Sequence, residues 1–121
     1  MEFGRGLLTC SLSLTKEINI ANTHLEPWLR NRELRMGQLE LEHKLLKSLE
    51  MPSMLVGDFN LHSPESDNID RTYFIELWEA LKDPTEENYT WLGPPDGDPI
   101  YSKLDFTLLS KEGVYKPVFI S

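Results

Sequence analysis

The chain has 121 residues, enough for one compact domain and too few for two ordinary ones, and its 40% hydrophobic and 26% charged content argues against a disordered chain. A net charge of -8 excludes a uniformly basic nucleic-acid binder, and no run approaches the roughly eighteen apolar residues that a membrane helix needs. The single cysteine, Cys10, excludes an internal disulfide framework and a cysteine-based zinc cluster.

The elements are readable in chain order. Leu8, Cys10, Leu12 and Leu14 alternate with Thr9, Ser11 and Ser13, the period of a half-buried strand. Thr15-Lys16-Glu17 makes a short turn, and a second strand runs from Ile18 to about Thr23, so the pair reads as an antiparallel hairpin. A helix is expected from about Asn31 to Glu50, with Asn31 as its N-cap and Pro52 stopping it. Leu34, Leu41, Leu45 and Leu49 form its apolar stripe, widened by Leu39 and Leu46. Arg30, Arg32 and Arg35 crowd its first turn, against the helix dipole. They are either a solvated face with ordinary ion pairs or a place where an anion sits.

Ser53 to Phe59 reads as a strand buried on both faces, followed by a polar loop from Leu61 to Asn68. A second helix is expected from about Asp70 to Lys82, with Phe74, Leu77, Trp78 and Leu81 inward and Asp83-Pro84 ending it. Gly93 to Asp98 is a long turn, Leu104 to Leu109 a strand, and Val118 to Ile120 the start of another. Strands and helices alternate, so the class is α/β or α+β. There is no internal repeat and no flexible linker.

The strongest chemical signal is Gly57-Asp58-Phe59-Asn60, where buried apolar residues lead into a carboxylate and an amide at a strand end. Strand ends are where reacting groups collect in layered α/β structures. Asp58 and Asn60 leave the same side of an extended strand; a carboxylate can take a proton from water and an amide N–H can bind a phosphoryl oxygen. The same residues also suit a plain strand-to-loop corner. Asn22-Thr23-His24-Leu25-Glu26 is the second signal: a histidine can donate to a phosphate oxygen and a carboxylate can orient it, although a lone histidine here can also be structural. His43 lies within the helix and is expected at the surface. His62 follows the acidic motif by two residues and can reach the same cleft.

Together these motifs resemble the endonuclease/exonuclease/phosphatase superfamily along nearly the whole chain. Asn22-Thr23-His24-Leu25-Glu26 is similar to its histidine-bearing strand, Arg35-Met36-Gly37-Gln38 to its R-x-x-Q element, Gly57-Asp58-Phe59-Asn60 to its G-D-x-N signature, and Leu104-Asp105-Phe106 to a later F/L-D motif. Leu77-Trp78-Glu79 and Tyr89-Thr90-Trp91 resemble the wording of the 5′-tyrosyl-DNA phosphodiesterases. The resemblance implies residues 1–121 are a central and C-terminal portion of a four-layered α/β/β/α sandwich, and magnesium-dependent (or manganese-dependent) cleavage of phosphate esters in the complete domain. It implies that Asp58 positions or deprotonates the attacking water, that Asn60 and His24 bind the phosphate, and that Asp105 orients a catalytic histidine. His62 and Trp91 join the substrate-binding set, Glu26, Arg35 and Gln38 support the loops around it, and no metal ligand is fixed, with Asp58 a candidate. Trp78 and Trp91 are either packing aromatics or a wall on which a base stacks.

The family's upstream Asn and metal-ligating Glu, and its closing Ser-Asp-His, have no counterpart here, so the chain is expected to be inactive alone. Residues 1–60 hold eight acids and seven bases, net -1, whereas residues 61–121 hold twelve acids and five bases, net -7. The second half would repel a polyanion unless a metal intervenes. The expected partners are DNA or another phosphodiester, with no membrane span, and a missing half-domain or a protein partner on an uncovered sheet. A non-catalytic interaction module is the alternative of a different class. The implied location is intracellular, in cytoplasm or nucleus.

Overall fold

The computed structural model describes residues 6–13, 16–62, 64–81, 89–93 and 101–111. Strand β1 (Leu7–Ser13) turns back into β2 (Glu17–His24), and a short 3-10 turn (Leu29–Asn31) leads into helix α1 (Arg32–Ser48). β3 (Ser53–Asp58), a 3-10 turn (Glu65–Asn68), β4 (Phe74–Glu76) and the single-turn α2 (Leu77–Leu81) follow, then β5 (Trp91–Leu92), β6 (Tyr101–Ser102) and β7 (Asp105–Ser110). Five strands make one mixed sheet in the order β1-β2-β3-β7-β4, and β5 and β6 form a separate two-stranded ladder. The architecture is α+β.

The hairpin forms because alternation in β1 matches alternation in β2: Leu8, Cys10 and Leu12 face Asn22, Ile20 and Ile18 across seven antiparallel pairs. β2 and β3 then run parallel, joined by α1 as the crossover, and β3 pairs antiparallel with β7. One sheet face packs on α1. There Ala21, Leu25, Leu39, Leu46, Leu55, Phe59, Phe74, Phe106 and Leu108 form the core, with the Phe59 and Phe106 rings 5.2 Å apart. β3 is buried on this face, through Ser53 and Leu55, and only half-buried on the other, through Met54 and Val56.

Three sequence expectations for α1 change. The expected leucine stripe faces outward: Leu41, Leu45 and Leu49 are 58%, 45% and 41% exposed. The inward face is Arg35, Gln38, Leu39, Glu42, His43 and Leu46. It is mostly polar because it meets polar groups of β2 and the adjoining loops, which periodicity alone does not register. His43 is therefore in the core rather than at the surface, its ring 5.0 Å from that of Phe74 and its Nε2 accepting the Asp70 N–H at 3.2 Å. Asn31 occupies the N-cap position, but its amide donates to Pro27 O instead of capping the helix.

The helix expected over 70–82 divides. Phe74–Glu76 is a strand, held by pairing with Ser110, Leu109 and Leu108 of β7, and only Leu77–Leu81 is helical. Glu76 makes the break, since its carboxylate accepts the N–H groups of Trp78 and Glu79 and so caps the new helix. The expected turn at 94–98, the strand at 118–120 and Lys82 to Pro84 lie outside the described residues.

Two buried groups on α1 titrate in opposite senses. Burial pushes the Glu42 carboxyl from 4.5 up to about 7, opposed by its hydrogen bond from the Thr23 hydroxyl. Burial pushes His43 from 6.5 down to about 4, with Asp70 opposing and Lys47 adding to the shift. Glu42 binds its proton more tightly when folded, so its contribution to stability is lost as pH rises from 4.5 to 7. His43 binds its proton less tightly when folded, so its contribution is lost as pH falls from 6.5 to 4. Between pH 4.5 and 6.5 the two slopes cancel. Urea unfolding of Glu42→Gln should therefore show stability falling on acidification through that window, where the parent chain is nearly flat. Above pH 7 the variant should be the more stable by about 3 kcal/mol.

Gly57 carries the tightest backbone constraint. It has φ 144°, and a Cβ there would lie 1.9 Å from the carbonyl oxygen of Thr23, its partner on β2. Gly57→Ala should cost roughly 3 kcal/mol or more in urea unfolding, because strain and overpacking fall on the same position.

Candidate functional site

Register alone assembles the site. His24 ends β2 and pairs with Asp58 at the end of β3, and Asp58 pairs with Asp105 at the start of β7. Directly paired residues share a sheet face, so these three side chains stand side by side across three strands. Thr23, the neighbour of His24, points to Glu42 of α1, so the row lies on the face away from the helix. His24 Nε2 is 3.6 Å from Asp58 Oδ2, with both side chains reaching solvent.

The chain bends sharply after Asp58. Its Oδ1 accepts the Asn60 N–H at 2.9 Å, and Asn60 adopts φ 49°, a left-handed conformation that asparagine tolerates. This turns the Asn60 side chain inward, where its Nδ2 donates to Leu25 O at 2.7 Å. Asn60 is 8% exposed, and its amide has one N–H besides the one given to Leu25 O. Leu25 N–H in turn donates to Asp58 O, and Phe59 N–H to Leu104 O, so the ends of all three strands are tied together.

Arg35, Gln38 and Glu26 stand behind this row. Arg35 is fully buried. Its Nη1 donates to Glu26 O and Trp28 O at 3.0 and 2.8 Å, and its Nε and Nη2 grip both oxygens of Glu65 at 2.9 and 2.6 Å. Gln38 Oε1 accepts the Glu26 N–H, and the Glu26 side chain is buried. Burial pushes the Glu65 carboxyl up, but the Arg35 hydrogen bonds, the His62 N–H and the Arg35 charge together hold it below the usual range. Of the three arginines at the start of α1, Arg35 meets this carboxylate in the interior and Arg32 approaches it from the surface at 3.8 Å. Arg30 is exposed. Glu65 escaped the sequence reading because nothing separates it from other acids of a polar loop. His62 is fixed by its backbone, its N–H donating to Glu65 and its carbonyl accepting the Glu65 N–H.

The 89–92 segment adjoins the row from the β7 side. Thr90 Oγ1 accepts the N–H groups of Leu104 and Asp105 at 2.9 and 3.1 Å. Beside it a cleft of about 130 Å³ is lined by Glu76, Leu77, Trp78, Tyr89, Thr90, Lys103, Asp105 and Thr107. Trp91 stands outside that lining and is 46% exposed. Glu76, Lys103 and Thr107 are the lining residues that the sequence reading did not single out. Lys103 pairs with the buried Glu76 at 2.7 Å and lies over the Phe106 ring.

Magnesium is a hard cation that takes one or two protein carboxylates and fills its remaining positions with water and phosphate oxygens. Asp58 and Asp105 supply that minimum and no more: the described residues hold no group of three or more His, Cys, Asp or Glu side chains placed to grip a metal ion.

No protein-family model and no curated protein sequence matches the chain. Its fold does match solved structures. A humanised D. rerio tyrosyl-DNA phosphodiesterase 2 (TDP2) carrying 14 mutations superposes with a TM-score of 0.81 at 21% identity, over 98% of this chain and 50% of that one. D. rerio TDP2 complexed with single-strand DNA product gives 0.79 at 20% identity, over 91% of this chain and 48% of that one. An endonuclease/exonuclease/phosphatase family protein from Bacteroides thetaiotaomicron gives 0.58 at 20% identity, over 78% and 36%. The chain thus has the fold seen in TDP2 and spans about half the length of the TDP2 chains it matches.

Proposed function

We propose that this chain carries part of a phosphodiesterase site acting on DNA 5′-ends, of the kind that removes a tyrosyl group, and that alone it is inactive. One observation carries the reading: His24, Asp58 and Asp105 meet in register across three neighbouring strands, next to the inward-turned Asn60. In this reading Asp58 takes the proton of the attacking water, and His24 and the remaining Asn60 N–H donate to the phosphoryl oxygens as charge builds there. Asp105 orients a histidine supplied from outside the described row. His62 and Trp91 touch the substrate, and Glu26, Arg35 and Gln38 keep the loops in place.

Two features support inactivity of the chain alone. The chain has three histidines; besides His24, His43 is enclosed in the core and His62 is in the loop after Asn60. Asp58 and Asp105 are the two carboxylates of the row, and in this reading the family's metal-ligating Glu joins them from outside it. Magnesium, or manganese in its place, would neutralise charge on the phosphate once further ligands are present. No helix among the described residues is long and apolar enough to cross a membrane. The exposed Leu8 and Leu12 favour a second reading, an interaction module that binds a protein partner through the sheet face away from α1.

The test is release of tyrosine from a 5′-tyrosyl oligonucleotide in magnesium. The 121-residue chain should stay at background. A form extended at both ends with the family's Asn, Glu and Ser-Asp-His motifs should turn over, and Asp58→Asn in that form should lower the rate about a hundred- to ten-thousand-fold. Turnover by the short chain that disappears with Asp58→Asn would refute the inactivity. Activity of the extended form that survives Asp58→Asn would refute the site.

A further inference from the structure

The long edge of the main sheet points to a partner of a specific kind. β1 is the first strand in the sheet order, with β2 on one side and no strand on the other among the described residues. Six of its seven residues are exposed, and its sequence, Leu-Leu-Thr-Cys-Ser-Leu-Ser, has no charge and no proline. All seven positions pair with β2 without a bulge. Natural edge strands are protected by charge, proline, bulges or short length, and β1 has none of these. The opposite edge, β4, is three residues long. In a chain of net charge -8, an uncharged seven-residue edge is also where two copies meet with least repulsion.

The pattern along β1 identifies the occupant. Cys10 is the central residue of Leu7–Ser13. If a second β1 runs antiparallel about a two-fold axis at Cys10, Leu8 faces Leu12 of the other copy and Cys10 faces Cys10, all on the sheet face away from α1. Thr9 then faces Ser11 on the other face. At these five central positions apolar residues meet apolar residues and hydroxyls meet hydroxyls, which is how cross-strand pairs stabilise a sheet, and only the end pairs set Leu7 against Ser13. We propose that two copies of this chain pair through β1 in that register, joining their sheets into one continuous sheet. The proposal goes beyond the phosphodiesterase reading and does not depend on it.

Sedimentation equilibrium with two paired variants tests it. Thr9 and Ser11 are exposed and lie on the opposite face from Leu8 and Leu12, so changing them leaves any face-to-face stacking through the leucines untouched. In the proposed register, Thr9→Lys with Ser11→Lys places like charges directly opposite one another twice and should give a monomer. Thr9→Lys with Ser11→Glu places opposite charges there and should restore the dimer shown by the parent chain. Circular dichroism confirms that each variant keeps its fold. A monomeric parent chain at every soluble concentration would overturn the proposal. A dimer indifferent to both pairs of substitutions would also overturn it and would assign association to another surface.

Discussion

The Arg35 guanidinium is the interaction on which the rest of the arrangement depends. It is a full charge in the interior, and such a charge is tolerable only when its donors are taken up. Three directions are satisfied at once: the carbonyls of Glu26 and Trp28 on the strand side, and both oxygens of Glu65 on the loop side. A planar fork with five donors can do this, whereas the point charge of a lysine cannot. The helix that bears Arg35 therefore binds the two loops that follow β2 and β3.

Those loops fix the ends of the strands. Glu26 follows His24 by two residues, and its N–H is held by Gln38, three residues along α1 from Arg35. Asn60 reaches back to Leu25, and Leu25 reaches across to Asp58. The row of His24, Asp58 and Asp105 is thus held from behind by hydrogen bonds to main chain, and its front remains open. The polar inner face of α1 is the cost of this arrangement: Glu42 and His43 lie in the core with shifted titrations, and Glu42 Oε2 and His43 Nδ1 find no hydrogen-bond partner among the described residues. Bracing loops through a helix requires polar groups where leucines would otherwise pack.

That requirement also explains what the sequence could and could not disclose. The hairpin and β3 were legible because alternation and a compact apolar run are local signals. Leu8 to Leu12 and Met54 to Val56 carry them without help from distant residues. The positions of His24, Asp58 and Asp105 near strand ends were legible for the same reason. The orientation of α1 was not. Leu34, Leu41 and Leu45 make a cleaner stripe than Arg35, Gln38, Leu39, Glu42, His43 and Leu46, yet the second set is the buried one. Only Glu65 and β2, distant in sequence, make the polar set favourable inside. The division at Glu76 was hidden similarly, since Phe74, Leu77 and Leu81 fit helical spacing, and the β7 pairing that draws Phe74–Glu76 into the sheet is long-range.

Native-state hydrogen exchange on Arg35→Lys tests the bracing role most directly. Lysine keeps the charge that faces Glu65 and gives up the fork that reaches Glu26 O and Trp28 O. The account predicts that the Leu25, Glu26 and Asn60 amides exchange at least about tenfold faster, while those of Ala21 and Leu55 at the sheet centre change little, because the strand ends open without the sheet unfolding. Equal acceleration at all five amides, or no acceleration at the strand ends, would show that Arg35 stabilises the fold in general or not at all, and that something else holds the row in place.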